Sequence, residues 1–408
     1  MNNFLNALIF NAGYNTNLVT FGATLLGFSA GISGTFLFLR KRALVCDAIA
    51  HATLPGIGLA FITMVLLGGD GRNLAGLLTG SIVTASLGTA TISWIVHNTR
   101  LTEDAAIGAV LSVFFGFGIV LLTIIQSMAI GYQAGLEHFF LGATAGMLFQ
   151  DAIIISLGGV LTVATILLLR RPMMLVAFDI NYAYTRGYNV QLVDFTIMAL
   201  VLAVTAISLK IVGLILIVAM LIIPAVTARF WTERSDHILW IASGIGAVSS
   251  YIGTALSASV SALPTGPVIV IVCTSMFIFS LFLAPARGII VVMYNNWQFQ
   301  KRVHLRQGLL ALASSEVIRD ALTLKLLRRA KCLRKDGVAT STGIIKAQQA
   351  VLDERRWKIA LRIFEKYNLK SHYYRLTPID VVFTSEEIAK IDSILTELPT
   401  TSIDNSIT

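Results

Sequence analysis

Long apolar stretches alternate with short polar connections over the first two thirds of the chain. A helix needs about 20 apolar residues to cross about 30 Å of hydrocarbon. Nine stretches approach that length, at residues 17–39, 43–67, 74–96, 105–126, 151–169, 192–209, 211–228, 237–258 and 266–284. Backbone groups in lipid must be satisfied within their own segment, so the pattern predicts helices. We expect an all-α polytopic membrane body with about eight to nine spans.

Two places leave the number of spans open. Lys210 separates two of the stretches, and it is compatible either with a connection or with a break in one bent segment. Residues 132–150 are compatible with a re-entrant segment.

Composition changes where the apolar stretches end. The whole chain is 56% hydrophobic and 13% charged, with a net charge of +9. Residues 1–287 contain 22 charged side chains, whereas the much shorter segment 288–408 contains 31. The second density is that of a soluble domain. The split excludes a single water-soluble enzyme, a disordered protein and a fibrous repeat, and it predicts a transmembrane domain at 1–287 followed by a basic domain at 288–408.

Positive side chains in the connections predict the orientation. One set of connections carries ten of them: Arg40, Lys41, Arg42, Arg100, Arg170, Arg171, Arg186, Arg229, Arg234 and Arg287. The other set carries Arg72 and Lys210. The asymmetry places the first set, and the C-terminal domain, in the cytoplasm of a multi-pass protein of the cell (inner) membrane.

One pair of ionisable residues lies within the second predicted span. Asp47 and His51 are four residues apart, so a helix places both on one face. A carboxylate and an imidazole suit Mn²⁺, Fe²⁺ or Zn²⁺. Two interpretations stay open: the pair binds a metal ion, or the two side chains only pair with each other near the cytoplasmic end. Cys46 lies about 100° around the helix from Asp47. We therefore expect Cys46 to be a packed thiol rather than a third ligand.

Other acidic residues lie at the borders of spans. Glu103 and Asp104 suit the positive N-terminal end of a helix. Asp194 is a candidate helix cap.

Residues 170–190 are too polar to span a membrane and too apolar for a simple linker. Phe178, Tyr182 and Ala183 share a helical stripe, and Gly187 is a candidate helix stop. A short amphipathic helix at the membrane face suits a partner protein. An interfacial anchor is the alternative.

Several segments resemble the integral-membrane permeases of metal-ion (zinc, manganese and iron) ABC importers. They occur in the same order as in that family: GFSAGISGTFLFLRKRALVCDAIAHATLPGIGLAF (27–61), TRLTEDAAIGAVLSVFFGFGIVLL (99–122), AFDINYAYTRGYNV (177–190), IVGLILIVAMLIIPAVTARF (211–230) and PTGP (264–267). The resemblance covers about residues 17–287.

This resemblance implies a function, partners and site residues. Such permeases pair as homo- or heterodimers, bind two cytoplasmic ATP-binding subunits and receive metal from an extracytoplasmic binding protein. The resemblance therefore implies that ATP hydrolysis takes place in a separate subunit. No catalysis and no permanently bound cofactor is expected in this chain. The transported metal ion, Mn, Zn or Fe, would meet Asp47 and His51. The ATPase-coupling helix of the family maps onto Phe178, Asp179, Tyr182, Ala183 and Gly187.

Two departures from the family pattern limit what is carried over. An acidic residue often precedes the PTGP run, but Ser261, Ala262 and Leu263 stand here. Cys46 replaces a small residue, and a thiolate there would favour softer metals.

The C-terminal segment reads as mainly helical, with helices near 303–314, 316–334, 343–366 and 385–396 and a short strand at Val381–Phe383. Helices followed by a strand resemble a winged-helix module. The basic run 325–335 suits phosphate groups of nucleic acid or anionic lipid. A regulatory or docking role follows as a hypothesis.

Two further functions compete with an ABC permease. A gradient-driven secondary transporter would need several buried acidic or His relays, and only Asp47 and His51 are clear candidates. A membrane-anchored metal-responsive regulator would not need so many spans.

Overall fold

The computed structural model describes residues 7, 9, 13–69, 73–128, 149–259, 263–334, 336–364, 373 and 376–397. Backbone contacts divide the chain into two units, Met1–Val291 and Val292–Thr408. The composition change at 287/288 lies four residues before this division.

Long helices account for the apolar stretches of the first unit. The helices are α1 Tyr14–Leu39, α2 Ala43–Leu66, α3 Leu74–Asn98, α4 Glu103–Ser127, α5 Phe149–Phe178, α6 Ile180–Thr185, α7 Val190–Val212, α8 Leu214–Trp231, α9 Ser235–Ser259 and α10 Thr265–Leu283. Among the described residues, eight helices are long and apolar enough to cross a membrane, and α8 contributes a shorter apolar segment, Leu216–Trp231. The all-α fold and the expected eight to nine spans are confirmed.

Local capping explains where several helices begin. The side chain of Asn73 accepts a hydrogen bond from the backbone N–H of Ala75 at the start of α3. Thr102 caps α4, and Glu103 and Asp104 lie in its first turn as predicted. Acidic side chains there complement the partial positive charge of the helix N-terminus.

Glycines allow α1 to pack closely against α9. A Cβ added at Gly27 would overlap the carbonyl oxygen of Gly246, and one added at Gly31 would overlap the backbone of Ala242. Small residues that let backbones approach are typical of membrane helix interfaces, where the hydrophobic effect does not drive association. The order of these contacts makes the two helices antiparallel, so the first turn of α9 lies near the end of α1.

Close contacts also hold α2 between α3 and α4. Gly56 of α2 and Gly80 of α3 approach each other's backbone. Gly118 of α4 lies against Leu54 and Pro55. The middle of α2 is thus packed on two sides, against α3 and against α4.

Ion pairs join helix ends at one end of the first unit, called the basic end here. The pairs are Arg40–Asp194, Arg42–Glu103, Arg170–Asp236 and Arg287–Glu233. Since α7 begins and α8 ends at this same end, the chain must reverse direction between them. The reversal falls at Gly213, whose φ of +79° suits glycine. The alternative of one bent segment broken at Lys210 is therefore wrong.

Helix α5 is longer than the predicted span. It continues through Arg170, Arg171 and Pro172 and ends at Phe178, so that it is 30 residues long. At 1.5 Å per residue it is about 45 Å long, more than the hydrocarbon thickness. Residues 170–178 thus extend α5 beyond the apolar layer. The prediction of an element separate from the span, beginning at residue 170, is wrong for this part of the segment.

The second unit contains most of α11 Ile289–Ala313, which begins three residues before the division, and the helices α12 Ala321–Arg329, α13 Ser341–Ile363, α14 Ile379–Val382 and α15 Ser385–Glu397. Trp357 of α13 is 1% exposed and lies at the centre of an aromatic cluster with Tyr373 and Phe383. Charged pairs tie the helices together: Arg306 to Glu354, and Arg356 to Asp392. Burial of the large indole supplies much of this unit's apolar core.

The predicted strand at Val381–Phe383 is wrong. Residues Ile379–Val382 form the short helix α14, with Pro378 at its N-cap and Asp380 in its first turn. The fixed φ of Pro378 suits a helix start, and Asp380 complements the positive N-terminal end of the helix. Together these two residues outweigh the β-propensity of Val381 and Val382. The described residues show one isolated antiparallel bridge, Leu333–Ala339. The winged-helix resemblance stays a prediction.

Candidate functional site

Asp47 and His51 lie on one face of α2, one helical turn apart. Oδ1 of Asp47 is 3.4 Å from Nε2 of His51. The side chains are partly accessible, at 39% for Asp47 and 22% for His51. The fold therefore brings the predicted pair together and leaves a route to it.

The spacing between these two atoms suits two ligands of one ion. An N–H···O hydrogen bond is usually 2.7–3.2 Å long, so 3.4 Å is a loose contact for an imidazole and a carboxylate. Two ligand atoms that each lie about 2.1 Å from a tetrahedral ion are about 3.4 Å apart. The separation of Oδ1 and Nε2 thus matches that of two ligands of one tetrahedral ion.

Phe115 of α4 holds the ring of His51 in place. The two ring centroids are 4.9 Å apart with an interplanar angle of 76°, an edge-to-face arrangement. Nδ1 of His51 is buried and has no hydrogen-bond partner among the described residues. The imidazole is therefore positioned by packing and by Asp47 rather than by a competing hydrogen bond.

Cys46 does not join the pair. Its side chain is fully buried, and its Sγ donates a hydrogen bond to the carbonyl oxygen of Ala43 at 2.9 Å. Within the described residues, no group of three or more His, Cys, Asp or Glu side chains lies together as a metal site. Residues 132–148, Ser261 and Ala262 fall outside the described part of the chain.

The segment 178–187 contains the short helix α6, Ile180–Thr185, which is capped at both ends. The side chain of Asp179 accepts a hydrogen bond of 2.9 Å from the N–H of Tyr182 and so caps α6. Gly187, at a φ of +81°, ends it as predicted, and the N–H of Tyr188 donates to the carbonyl of Ala183. This closure is typical of a helix C-terminus.

The side chains of this segment divide into an inner and an outer set. Ala183 is fully buried, whereas Phe178 is 64% and Tyr182 is 44% exposed. Phe178 is the last residue of α5 rather than part of α6, because α6 starts at Ile180. The exposed set includes three more large side chains: Ile180, Tyr184 and Tyr188. A concentration of exposed aromatics on a short helix is typical of an interaction site.

An ion-pair network beside this helix was missed by the sequence analysis. Asp194 does not cap α7, as Asn189 accepts the hydrogen bond from Leu192 N–H instead. The carboxylate of Asp194 binds Arg40 and lies 3.4 Å from Arg42. The only signal in the sequence was a run of three basic residues, 40–42, and one acidic residue 154 positions after Arg40.

The fold and the site together define a polytopic helical transport protein with charged groups inside its span region. The pattern of the ABC 3 transport family matches residues 14–284. The chain belongs to this family. Neither a gradient-driven transporter nor an anchored regulator is favoured by that membership.

Curated relatives agree with the family. The manganese transport system membrane protein MntC of Bacillus subtilis (strain 168) is 36% identical over 370 residues, covering 85% of this chain and 84% of its own length. That alignment is longer than the first unit, so it includes part of the second. The zinc transport system membrane protein TroC of Treponema pallidum (strain Nichols) is 37% identical over 294 residues, 72% of this chain and 96% of TroC.

A solved structure shares the fold. The structure described as PsaBC from Streptococcus pneumoniae in complex with Fab has a TM-score of 0.59 and 29% sequence identity to this chain. The match covers 70% of this chain and 96% of that one.

Proposed function

We propose that the chain is the permease subunit of an ATP-driven importer of a divalent transition metal ion. The observation that carries the proposal is the 3.4 Å separation of Asp47 Oδ1 and His51 Nε2 inside a membrane helix. Ionisable groups in such a position are costly and mark ion pathways. The metals named for the two relatives, manganese and zinc, both accept a mixed carboxylate and imidazole ligand set.

In this proposal Asp47 and His51 contribute two ligands to the passing ion. Waters or a second permease subunit complete the coordination, since the described residues offer no third side chain nearby. An incomplete site suits transport, because an ion held by few protein ligands leaves more readily than one in a closed structural site. Iron remains within the same ligand chemistry.

The basic end of the first unit is proposed to face the cytoplasm, following the distribution of positive charge. The second unit follows α10 and would lie on the same side. The exposed face of Phe178 and Tyr182 would dock into a separate ATP-binding subunit, and ATP hydrolysis would occur there. A binding protein on the opposite face would deliver the metal.

The second unit is proposed to regulate or dock at the cytoplasmic side. Five of its exposed basic side chains lie close together in sequence, on and just after α12: Lys325, Arg328, Arg329, Lys331 and Arg334. They suit anionic lipid headgroups or phosphates equally well. No comparison supports a nucleic-acid partner.

Metal uptake into vesicles tests this function. Vesicles carry the full chain with its ATPase and binding protein, and Mn²⁺, Zn²⁺ and Fe²⁺ compete in one assay. Asp47→Asn and His51→Gln should each abolish most uptake, whereas Asp104→Asn, an exposed carboxylate in the first turn of α4, should not. Uptake without ATP would refute the energy source. Uptake by an Asp47→Asn/His51→Gln double variant would refute the ligands and leave transport standing.

A further inference from the structure

Arg40 is a buried cation that contacts two different helices. Its side chain is 8% exposed. Nη1 donates a 2.9 Å hydrogen bond to the carbonyl oxygen of Val176, and Nη2 contacts both carboxylate oxygens of Asp194. A buried charge that loses its partner is strongly unfavourable, so these contacts are expected to move together rather than separately.

The two partners of Arg40 flank the helix α6 on either side. Val176 lies in the last turn of α5, three residues before Asp179, and Asp194 lies in the second turn of α7, seven residues after Gly187. Arg40 therefore closes a loop of contacts around the segment that carries Phe178 and Tyr182. A displacement of α6 that moves the ends of α5 and α7 must also move Arg40.

Arg42 extends the same network to the start of α2. It is the N-cap residue of α2, its Nε lies 2.7 Å from Oε1 of Glu103, and its Nη1 lies 3.4 Å from Oδ2 of Asp194. Arg40 and Arg42 are joined by Lys41 in a tight turn with a φ of +58°. Asp47 follows five residues after Arg42, within the second turn of α2.

We propose that Arg40 and Asp194 are positioning residues that transmit movement of α6 to the start of α2, and hence to Asp47 and His51. The inference rests on the proposed function, in which α6 meets the ATP-binding subunit. Packed helices move as rigid bodies, and the network supplies a rigid connection between the helix that receives the movement and the helix that holds the ion. Demonstrating such a connection requires a measurement of coupling and not of position alone.

The decisive measurement is the number of metal ions taken up per ATP hydrolysed by the full complex in vesicles. Arg40→Lys keeps the positive charge but cannot contact both Val176 and Asp194 with the same geometry. Asp194→Asn keeps the hydrogen bond from Arg40 to Val176 and removes the ion pair. Both variants should lower uptake per ATP by at least about fivefold while ATP hydrolysis continues.

Glu233→Gln is the matched control, since it removes an ion pair with Arg287 at the same end of the unit without touching α1, α5 or α7. It should leave uptake per ATP unchanged. If Arg40→Lys fails to assemble, Asp194→Asn decides alone. A lower thermal stability with unchanged uptake per ATP would overturn the inference and reduce the network to a structural role. Absence of ATP-dependent uptake by the unmodified complex would instead overturn the proposed function, and the inference with it.

Discussion

Asp47 Oδ1 lies 3.4 Å from His51 Nε2, while the thiol of Cys46, the residue just before Asp47, is buried on another face of the same helix. Neighbouring residues on a helix diverge by about 100°. As long as α2 keeps its helical form, an ion bound by Asp47 is therefore out of reach of the Cys46 thiol. The soft thiol is therefore separated from the carboxylate and imidazole by the helix itself.

Cys46→Ala should leave both the rate of metal uptake and the order of preference among Mn²⁺, Zn²⁺ and Fe²⁺ unchanged. The physical reason is that Cys46 packs in the core and bonds to Ala43 rather than facing Asp47. Competition between metals in the vesicle assay checks this. A shift of preference toward Mn²⁺ in the variant would show that the thiolate is a ligand after all, because thiolates favour softer ions.

Replacing Phe178 and Tyr182 by alanine should weaken binding of the ATP-binding subunit without unfolding the permease. Both side chains are exposed, and removal of a central aromatic from an interface typically costs about 2 kcal/mol, or about 30-fold in Kd. Quantitative co-purification of the two subunits measures the loss.

Leu168→Ala is the control for this pair. Leu168 lies on the same helix α5 and is 83% exposed, in the part of α5 that the apolar pattern assigns to the membrane. Its replacement should leave the complex intact. Equal loss of the ATP-binding subunit from both variants would point to damage to α5 and not to a docking site.

How far the sequence predicts this molecule depends on the range of each interaction. Spans and the Asp47–His51 pair follow from patterns within one helix, so both were predictable. The contact of Arg40 with Asp194 joins residues 154 positions apart, and only packing reveals it. The predicted span ended at residue 169 because Arg170 and Arg171 are charged and Pro172 disfavours a helix, although α5 extends through them.

Gly246→Ala should destabilise the first unit, whereas Gly244→Ala should not. A Cβ at Gly246 would overlap the carbonyl oxygen of Gly27, while a Cβ at Gly244 meets nothing within 4 Å. Overpacking of this kind costs about 1–3 kcal/mol, and alanine in an open helical position gains up to about 1 kcal/mol over glycine. Thermal unfolding of the detergent-solubilised chain measures both. Equal effects of the two replacements would contradict close packing of α1 against α9.

Asp353→Asn should stabilise the second unit at neutral pH. Burial raises the pKa of Asp353 above its ordinary value of 3.8, Arg306 and Arg356 act to lower it, and Asp380 adds to the rise. Both arginines already bind other carboxylates, Glu354 and Asp392. An acid with a raised pKa in the folded state costs stability when it ionises, so the folded unit is most favoured below the ordinary pKa and loses stability as pH rises through the raised value.

The advantage of the Asp353→Asn variant should therefore be present at neutral pH and disappear below pH 3.8, where the aspartate is protonated in both states. Hydrogen exchange of peptides from α13, followed in the full chain over a range of denaturant concentrations, gives an unfolding midpoint at each pH. The difference in midpoint between the variant and the unmodified chain measures the effect. Asp336→Asn, an exposed loop carboxylate in the same unit, controls for a general effect of removing one negative charge. A stability loss at neutral pH in the Asp353 variant would mean that attraction to Arg306 and Arg356 outweighs the cost of burial.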